Sequence, residues 1–105
     1  MQPIAVVTTI GSLEEAQAMA RALVERKLVA CAQISEIESF YTWNDAVQND
    51  KEFRVLFKTT SELYQAIENA IRELHSYELP AIHALPFEHI YAPYQKWIEA
   101  NSAGE

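Results

Sequence analysis

The stretch HSYELP at positions 75–80 brings a histidine, a hydroxyl, a phenol, a carboxylate and a proline into six residues. Imidazole and carboxylate groups this close together can share a divalent cation or move protons. A histidine at the end of a helix can instead bond the last carbonyls of that helix. Both interpretations of His75, Tyr77 and Glu78 stay open, because no H-x-x-x-H or C-x-x-C motif defines a metal site. Of the other histidines, we expect His83 to be structural and His89 to be solvated.

A second group of polar residues surrounds a predicted turn at 44–50. Asp45, Asp50 and Glu52 could bind a hard cation weakly, since such ions prefer carboxylate oxygens, although a solvated turn is the simpler explanation. Tyr41 and Trp43 are two residues apart on a predicted strand, so they face the same side. They would line a ligand pocket or pack against another subunit.

The single cysteine, Cys31, lies in the strand-like run LVACAQI. A thiol becomes a catalytic nucleophile when a base stands beside it, and nothing in the sequence places one there. Its alanine and valine neighbours indicate a buried, inert thiol. One cysteine excludes an internal disulfide and an all-cysteine metal site. Because glycine-rich phosphate loops and hydrolase or kinase motifs are also missing, an enzyme that uses Cys31 or His75 is the weakest of the functions considered, and we expect a protein that is not an enzyme.

The composition is that of one globular domain over residues 1–105, with 50% apolar and 22% charged residues. The net charge of -7 argues against a nucleic-acid partner, which would need a basic surface. No signal peptide is recognisable and no apolar run is long enough to cross a bilayer. We therefore expect a cytoplasmic protein without a membrane partner.

Hydrophobic patterns predict the elements that position these residues. The predicted elements are, in order, a strand at 4–10, a helix from the capping box Ser12–Glu15 to about residue 27, a strand from 28 to 43, a strand at 52–60, a helix capped by Ser61 that ends near 75–78, a strand at 81–87, and a helix with Pro93 in its first turn. This βαββαβ order with a C-terminal helix predicts an α+β, ferredoxin-like domain, in which two helices cover one face of an antiparallel sheet.

The predicted hairpin is longer than a small domain needs. Its first strand has about fifteen residues, whereas strands usually have five or six. The hairpin must therefore project beyond the core and expose apolar residues in a monomer: Ile37, Phe40, Tyr41 and Trp43. Exposed patches of this kind usually mark a partner surface, so the sequence predicts an oligomer.

Several segments resemble the CutA divalent-cation tolerance proteins, from about residue 4 to residue 99. These segments are LVACAQI, SFYTW, KEF followed by FKTT, HSYELPAI and YQKWI, and the matching positions are Ala30, Cys31, Ser39, Tyr41, Trp43, Glu52, Lys58, Thr59, the corner 75–80 and Trp97. The resemblance implies a ferredoxin-like subunit, similar to the PII signalling proteins, in a tight homotrimer whose hairpins pair edge to edge. It also implies tolerance of copper and other divalent metals, copper binding, and no established enzymatic activity.

Four positions depart from the pattern of the family. Ser76 stands where proline is usual, and Asp45 stands where glycine is frequent. In the copper-ligand set proposed for an enterobacterial member, Thr8 replaces a cysteine of the first strand and Leu74 replaces the first of two histidines. Only His75 remains, so a soft Cys–His copper site does not carry over complete.

Two functions follow from the resemblance. The first is a trimeric metal-response protein that binds Cu(II) or another divalent cation, or a small ligand, in clefts between subunits. Its expected metal ligands are His75, Glu52 and Glu78, and its expected cleft residues are Tyr41, Trp43, Lys58, Tyr77 and Cys31. The second is a PII-like regulator that senses an anionic metabolite or acts on a partner protein, in which Lys58 would matter more than His75.

Overall fold

The structure, a computed structural model, describes residues 2–104. The elements are β1 (Pro3–Ile10), α1 (Leu13–Glu25), β2 (Cys31–Trp43), β3 (Ala46–Thr60), a 3₁₀ turn (Ser61–Leu63), α2 (Tyr64–Leu74), β4 (Ile82–Pro86) and α3 (Ala92–Asn101). The four strands form one antiparallel sheet in the order β2-β3-β1-β4. This topology confirms the predicted α+β, ferredoxin-like fold. Among residues 2–104, no helix has both the length and the apolar character needed to cross a bilayer.

The two faces of the sheet have different surroundings. Alternate strand residues such as Val6, Val55 and Phe57 are fully buried in the core that the sheet forms with α1 and α2. The other face, which we call the open face, carries the row of cross-strand neighbours Cys31, Lys58, Ala5 and Leu85. Tyr94 of α3 contacts Lys58 at one end of the open face. Functional side chains predicted on β2 and β3 therefore lie opposite the two long helices.

The hairpin of β2 and β3 is longer than predicted because its turn is short. Asn44 and Asp45 both have left-handed backbones, with φ of 53° and 61°, which is typical of a two-residue type I′ turn. β3 therefore begins at Ala46, so the predicted turn at 44–50 starts at the correct residue but is too long, and the predicted strand start at 52 is wrong. The polar residues after Asp45 lie on a ribbon that is exposed on both sides, so their polarity does not mark a turn.

The ends of α1 follow local signals. The Ser12 half of the predicted capping box forms, because Ser12 Oγ accepts a hydrogen bond of 3.1 Å from the Glu15 backbone N–H. The helix ends at Glu25, and Lys27 turns the chain with a left-handed φ of 58°. Residues 28–30 are buried but lie outside the strand, so β2 starts at Cys31, later than predicted.

The second half of the chain differs from its prediction at one helix end. Ser61 does not cap α2: it starts a 3₁₀ turn, and α2 begins at Tyr64 without a side-chain cap. α2 ends at Leu74, next to the predicted corner, and Pro86 ends the edge strand β4 as expected. Pro93 lies in the first turn of α3, which confirms that prediction.

Candidate functional site

The corner at 75–81 folds over the end of β1 and is held there by His75. His75 Nε2 donates to the Thr9 carbonyl at 2.8 Å, since a carbonyl can only accept. His75 Nδ1 accepts a hydrogen bond of 3.1 Å from the Tyr77 backbone N–H. In this arrangement Nε2 is the donor and Nδ1 the acceptor, so both ring nitrogens are occupied. A metal ion could bind this ring only after one of these hydrogen bonds had broken.

Tyr77 reaches from the corner to the open face. Its hydroxyl donates to Glu52 Oε2 at 2.7 Å, and its ring lies 4.7 Å from the imidazole of His75. Gly11 leaves room for the phenol, because a Cβ at that position would lie 3.0 Å from the Tyr77 oxygen. Burial, and then the hydrogen bond to Glu52 and its negative charge, raise the pKa of Tyr77 above its ordinary value.

Glu52 is a buried carboxylate without a cationic partner. Only 7% of Glu52 is exposed. It is buried even though the neighbouring strand β1 ends beside it, at Ile10, which pairs with Phe53. Within residues 2–104 its side chain bonds the neutral phenol of Tyr77 and forms no ion pair. A buried carboxylate is costly unless it is well hydrogen-bonded or paired with positive charge. Glu52 is therefore the predicted metal ligand with the strongest electrostatic reason to bind a cation.

A second phenol and carboxylate lie beside the first pair. The Tyr41 hydroxyl donates to Asp50 Oδ2 across the hairpin. The pKa of Tyr41 is raised, first by this hydrogen bond and further by the charges of Asp50 and Glu52. The charges of Tyr41 and Asp50 also contribute to the raised pKa of Tyr77. The structure thus joins Tyr41, Glu52 and Tyr77 in one acidic cluster, to which Asp50 belongs as well.

The remaining predicted site residues do not all meet in one chain. Glu78 is exposed on the corner and has no hydrogen bond or ion pair to the described residues. Trp43 pairs with Ala46 at the tip of the hairpin, while Glu52 pairs with Ile37. The tip is therefore roughly 20 Å from Glu52, given the rise of a β-strand. Contact between Trp43 and the corner requires a second chain.

Lys58 and Cys31 belong to a separate cluster, at the other end of the ribbon. Lys58 Nζ donates to the Tyr94 hydroxyl at 3.1 Å and lies 5.2 Å from the centre of that ring. Cys31 Sγ lies 3.9 Å from the same hydroxyl, and Trp97 stacks on the Tyr94 ring with 5.7 Å between centroids. The prediction that Cys31 is a buried thiol in the middle of a strand is wrong. Cys31 is half-buried and is the first residue of β2.

Tyr94 is the contact residue that the sequence did not single out as functional. Its only signal was its place on one side of the last helix, next to Trp97 and Ile98. His83, which we expected to be structural, is exposed on β4. Within the described part of the chain, no three His, Cys, Asp or Glu side chains converge as a metal site would require. A cation at Glu52 would need further ligands from water or from another chain.

These observations define an α+β domain with a long β-ribbon and an acidic cluster where the corner meets that ribbon. The chain matches the family described as CutA1 divalent ion tolerance protein over residues 4–101. The divalent-cation tolerance protein CutA of Thermotoga maritima is 38% identical over 95 residues, which cover 90% of this chain and 94% of that protein. The chain therefore belongs to the CutA1 divalent ion tolerance family.

Solved structures of relatives agree closely with this fold. The periplasmic divalent cation tolerance protein CutA from Archaeoglobus fulgidus is similar with a TM-score of 0.93 and 34% identity, covering 95% of this chain and 98% of that chain. The stable protein CutA1 from the psychrotrophic bacterium Shewanella sp. SIB1 has a TM-score of 0.93 and 35% identity, covering 98% of this chain and 97% of that chain.

Proposed function

We propose that this protein acts as a homotrimer that binds a divalent cation in the clefts between its subunits. The family is described by tolerance of divalent ions rather than by a reaction, and the proposed role is non-catalytic and cytoplasmic. The observation that carries the proposal is the carboxylate of Glu52, buried with a phenol instead of a cation. A divalent ion would supply the positive charge that this carboxylate lacks.

The shape of the chain supports the involvement of neighbouring subunits. β2 is an edge strand of thirteen residues, and long edge strands normally find a pairing partner. The hairpin also carries exposed apolar side chains near its tip, at Phe40, Trp43 and Val47. If neighbouring hairpins pair with this edge, Trp43 of one chain can approach the corner of the next. The cleft so formed would contain more ligands than one chain offers.

The predicted ligands contribute differently to such a site. Glu52 and the exposed Glu78 supply carboxylate oxygens, which suit hard cations. His75 would supply an imidazole nitrogen, which suits copper or zinc, when the hydrogen bond between its Nδ1 and the Tyr77 N–H opens. Tighter binding of Cu(II) or Zn(II) than of Mg(II) or Ca(II) would therefore indicate that His75 coordinates the metal.

Calorimetric titration of metal-stripped protein tests the proposal. We expect saturable binding of a divalent ion, weakened at least about tenfold by Glu52→Gln, because a ligand charge is lost while the side-chain shape is kept. Glu88→Gln is the matched control, since Glu88 is exposed in the loop after β4. Absence of saturable binding by Cu(II), Zn(II), Mg(II) and Ca(II) would contradict the metal proposal, as would equal effects of the two variants.

A second candidate function is favoured by Lys58. Its ammonium is half-buried and forms no ion pair with a carboxylate of the described residues. A PII-like regulator that senses an anionic metabolite would use such an unpaired charge. A thermal-shift screen with metal-free protein separates the two functions. An anion that raises the melting temperature without any metal favours the regulator.

A further inference from the structure

We propose that Lys58, Tyr94 and Cys31 form a subsite for the carboxylate of a small organic acid with an apolar body. This inference rests on the second proposed function and gives it a location and a ligand class. The subsite lies where α3 meets the open face, in the cross-strand row that begins with the Cys31–Lys58 pair. It shares no residue with the acidic cluster around Glu52.

The charge balance of the subsite favours an anionic ligand. Lys58 is half-buried, and its ammonium contacts the hydroxyl and the ring of one neutral phenol, Tyr94. Within residues 2–104 no carboxylate lies at ion-pair distance from its ammonium. In a chain with fifteen acidic residues and a net charge of -7, an ammonium that lacks a counter-ion can accept an anionic ligand without displacing one of the protein's own carboxylates.

The subsite also has more hydrogen-bond donors than acceptors. The Tyr94 oxygen accepts from Lys58, so its own hydrogen is free to donate to another group. The nearest acceptor given by the structure is Cys31 Sγ at 3.9 Å, which is a long and weak contact. Lys58 keeps further N–H donors, and the thiol of Cys31 is a weak donor as well. Lys58 and Cys31 therefore bring further donors next to the Tyr94 hydroxyl, whose own hydrogen has no strong acceptor among the described residues.

The charge and the aromatic surroundings of the subsite select the class of anion. The subsite holds one full positive charge, which matches a carboxylate, whereas phosphate usually takes an arginine fork or a cradle of backbone N–H groups. Trp97 stacks on Tyr94 with an angle of 9° between the rings and stays 44% exposed. This pair offers an apolar wall beside the donors, so a carboxylate attached to an apolar or aromatic body fits best.

Binding of benzoate to the intact, metal-free protein tests the inference, with neutral benzamide, acetate and inorganic phosphate as comparison probes. Calorimetry should show saturable benzoate binding at concentrations up to about 10 mM and no benzamide binding over the same range. Lys58→Gln should weaken benzoate binding at least roughly tenfold, and Tyr94→Phe roughly three- to tenfold. Lys58→Arg keeps the charge, so its benzoate affinity should stay within about fivefold of that of the unaltered protein. This variant also keeps the inference testable if Lys58→Gln does not fold.

Lys51→Gln is the matched control, because it removes one positive charge from an exposed position of the same strand. It should change benzoate affinity less than about twofold. Equal losses in the Lys58 and Lys51 variants, or tighter binding of phosphate than of benzoate, would overturn the subsite as described. Benzoate binding that survives in Lys58→Gln overturns the subsite and leaves the sensing function in place. If benzoate, acetate and phosphate all fail to bind, both the subsite and the anion-sensing function are overturned. The metal-binding proposal is tested separately by the metal titrations.

Discussion

Glu52 and Tyr77 form the contact that ties the corner to the ribbon, and each side chain changes the energetics of the other. The carboxylate accepts a hydrogen bond of 2.7 Å from the phenol, and Glu52 is buried. The phenol satisfies one oxygen of the carboxylate but cannot neutralise its charge. The same negative charge resists the loss of the phenol proton, so the pKa of Tyr77 is raised.

The first prediction concerns Tyr77→Phe. Loss of the hydroxyl leaves Glu52 without its hydrogen bond, so the free energy of unfolding should fall by about 1–3 kcal/mol at pH 7. Because the folded-state pKa of Tyr77 is raised, its stabilising contribution is complete below the ordinary value of 10.0 and is lost as the pH rises above it. Denaturant unfolding at several pH values from 8 to above 10 should show a steeper loss for the unaltered protein than for the variant. Parallel curves would contradict the prediction.

The second prediction concerns Gly11→Ala. The added Cβ would lie 3.0 Å from the Tyr77 hydroxyl, so the phenol must shift and its bond to Glu52 must weaken. We expect a loss of roughly 0.5–1.5 kcal/mol in unfolding free energy, most of which disappears when Tyr77 is already phenylalanine. A double-mutant cycle by denaturant unfolding measures this coupling. Additive effects of the two substitutions would show that the close approach has no energetic consequence.

The hairpin of β2 and β3 is the element that positions most of the acidic cluster. Its two-residue turn sets the register in which Ile37 pairs with Glu52 and Ser39 pairs with Asp50. A slip of one residue would move every one of these side chains to the opposite face of the sheet. The turn therefore determines which side chains can meet Tyr77 from the corner.

The third prediction tests the strain in that turn. Asp45 has a φ of 61°, a left-handed conformation that glycine adopts without a steric cost. Asp45→Gly should raise the free energy of unfolding by about 0.5–1 kcal/mol, and Asp45→Val should lower it, because β-branched residues resist positive φ. Thermal and denaturant unfolding of both variants measure the two signs. A stabilising Asp45→Val would contradict the assigned turn.

At the level of the whole molecule, the ribbon extends beyond the helices that cover the core. The chain measures 45 × 27 × 21 Å, and apolar residues near the tip such as Phe40 are 67% exposed. Exposed apolar side chains on a long edge hairpin favour pairing with other copies. The proposed trimer would bury this surface and would also bring additional ligands to Glu52.

The fourth prediction is the oligomeric state. Sedimentation equilibrium should give three times the 12.0 kDa mass of one chain. Phe40→Glu should shift the equilibrium towards monomer, because it places a charge within the proposed interface. Leu13→Glu is the control, since Leu13 is 44% exposed in the first turn of α1, where a carboxylate is well tolerated. A monomer in the unaltered protein, or equal dissociation of both variants, would contradict the trimer.

Local patterns in the sequence were sufficient for the order of strands and helices and for the ferredoxin-like topology. The capping box at Ser12 and the proline at position 93 predicted two helix starts correctly, because each depends on residues within one turn. The turn of the hairpin was predicted too long, since Asn49 and Asp50 have turn-like side chains but lie in β3. Polarity alone does not distinguish a loop from a ribbon that is solvated on both sides.

The sequence named most side chains of the candidate site but none of the contacts between them. Tyr77 and Glu52 are 25 positions apart, and Lys58 and Tyr94 are 36 positions apart. Such contacts depend on strand register and on how the corner and α3 fold back, which are properties of the assembled sheet rather than of any local pattern. For the same reason, no local pattern indicated that both nitrogens of His75 are occupied. Nor did any local pattern indicate that Trp43 and Glu52 of the same chain lie far apart along the ribbon.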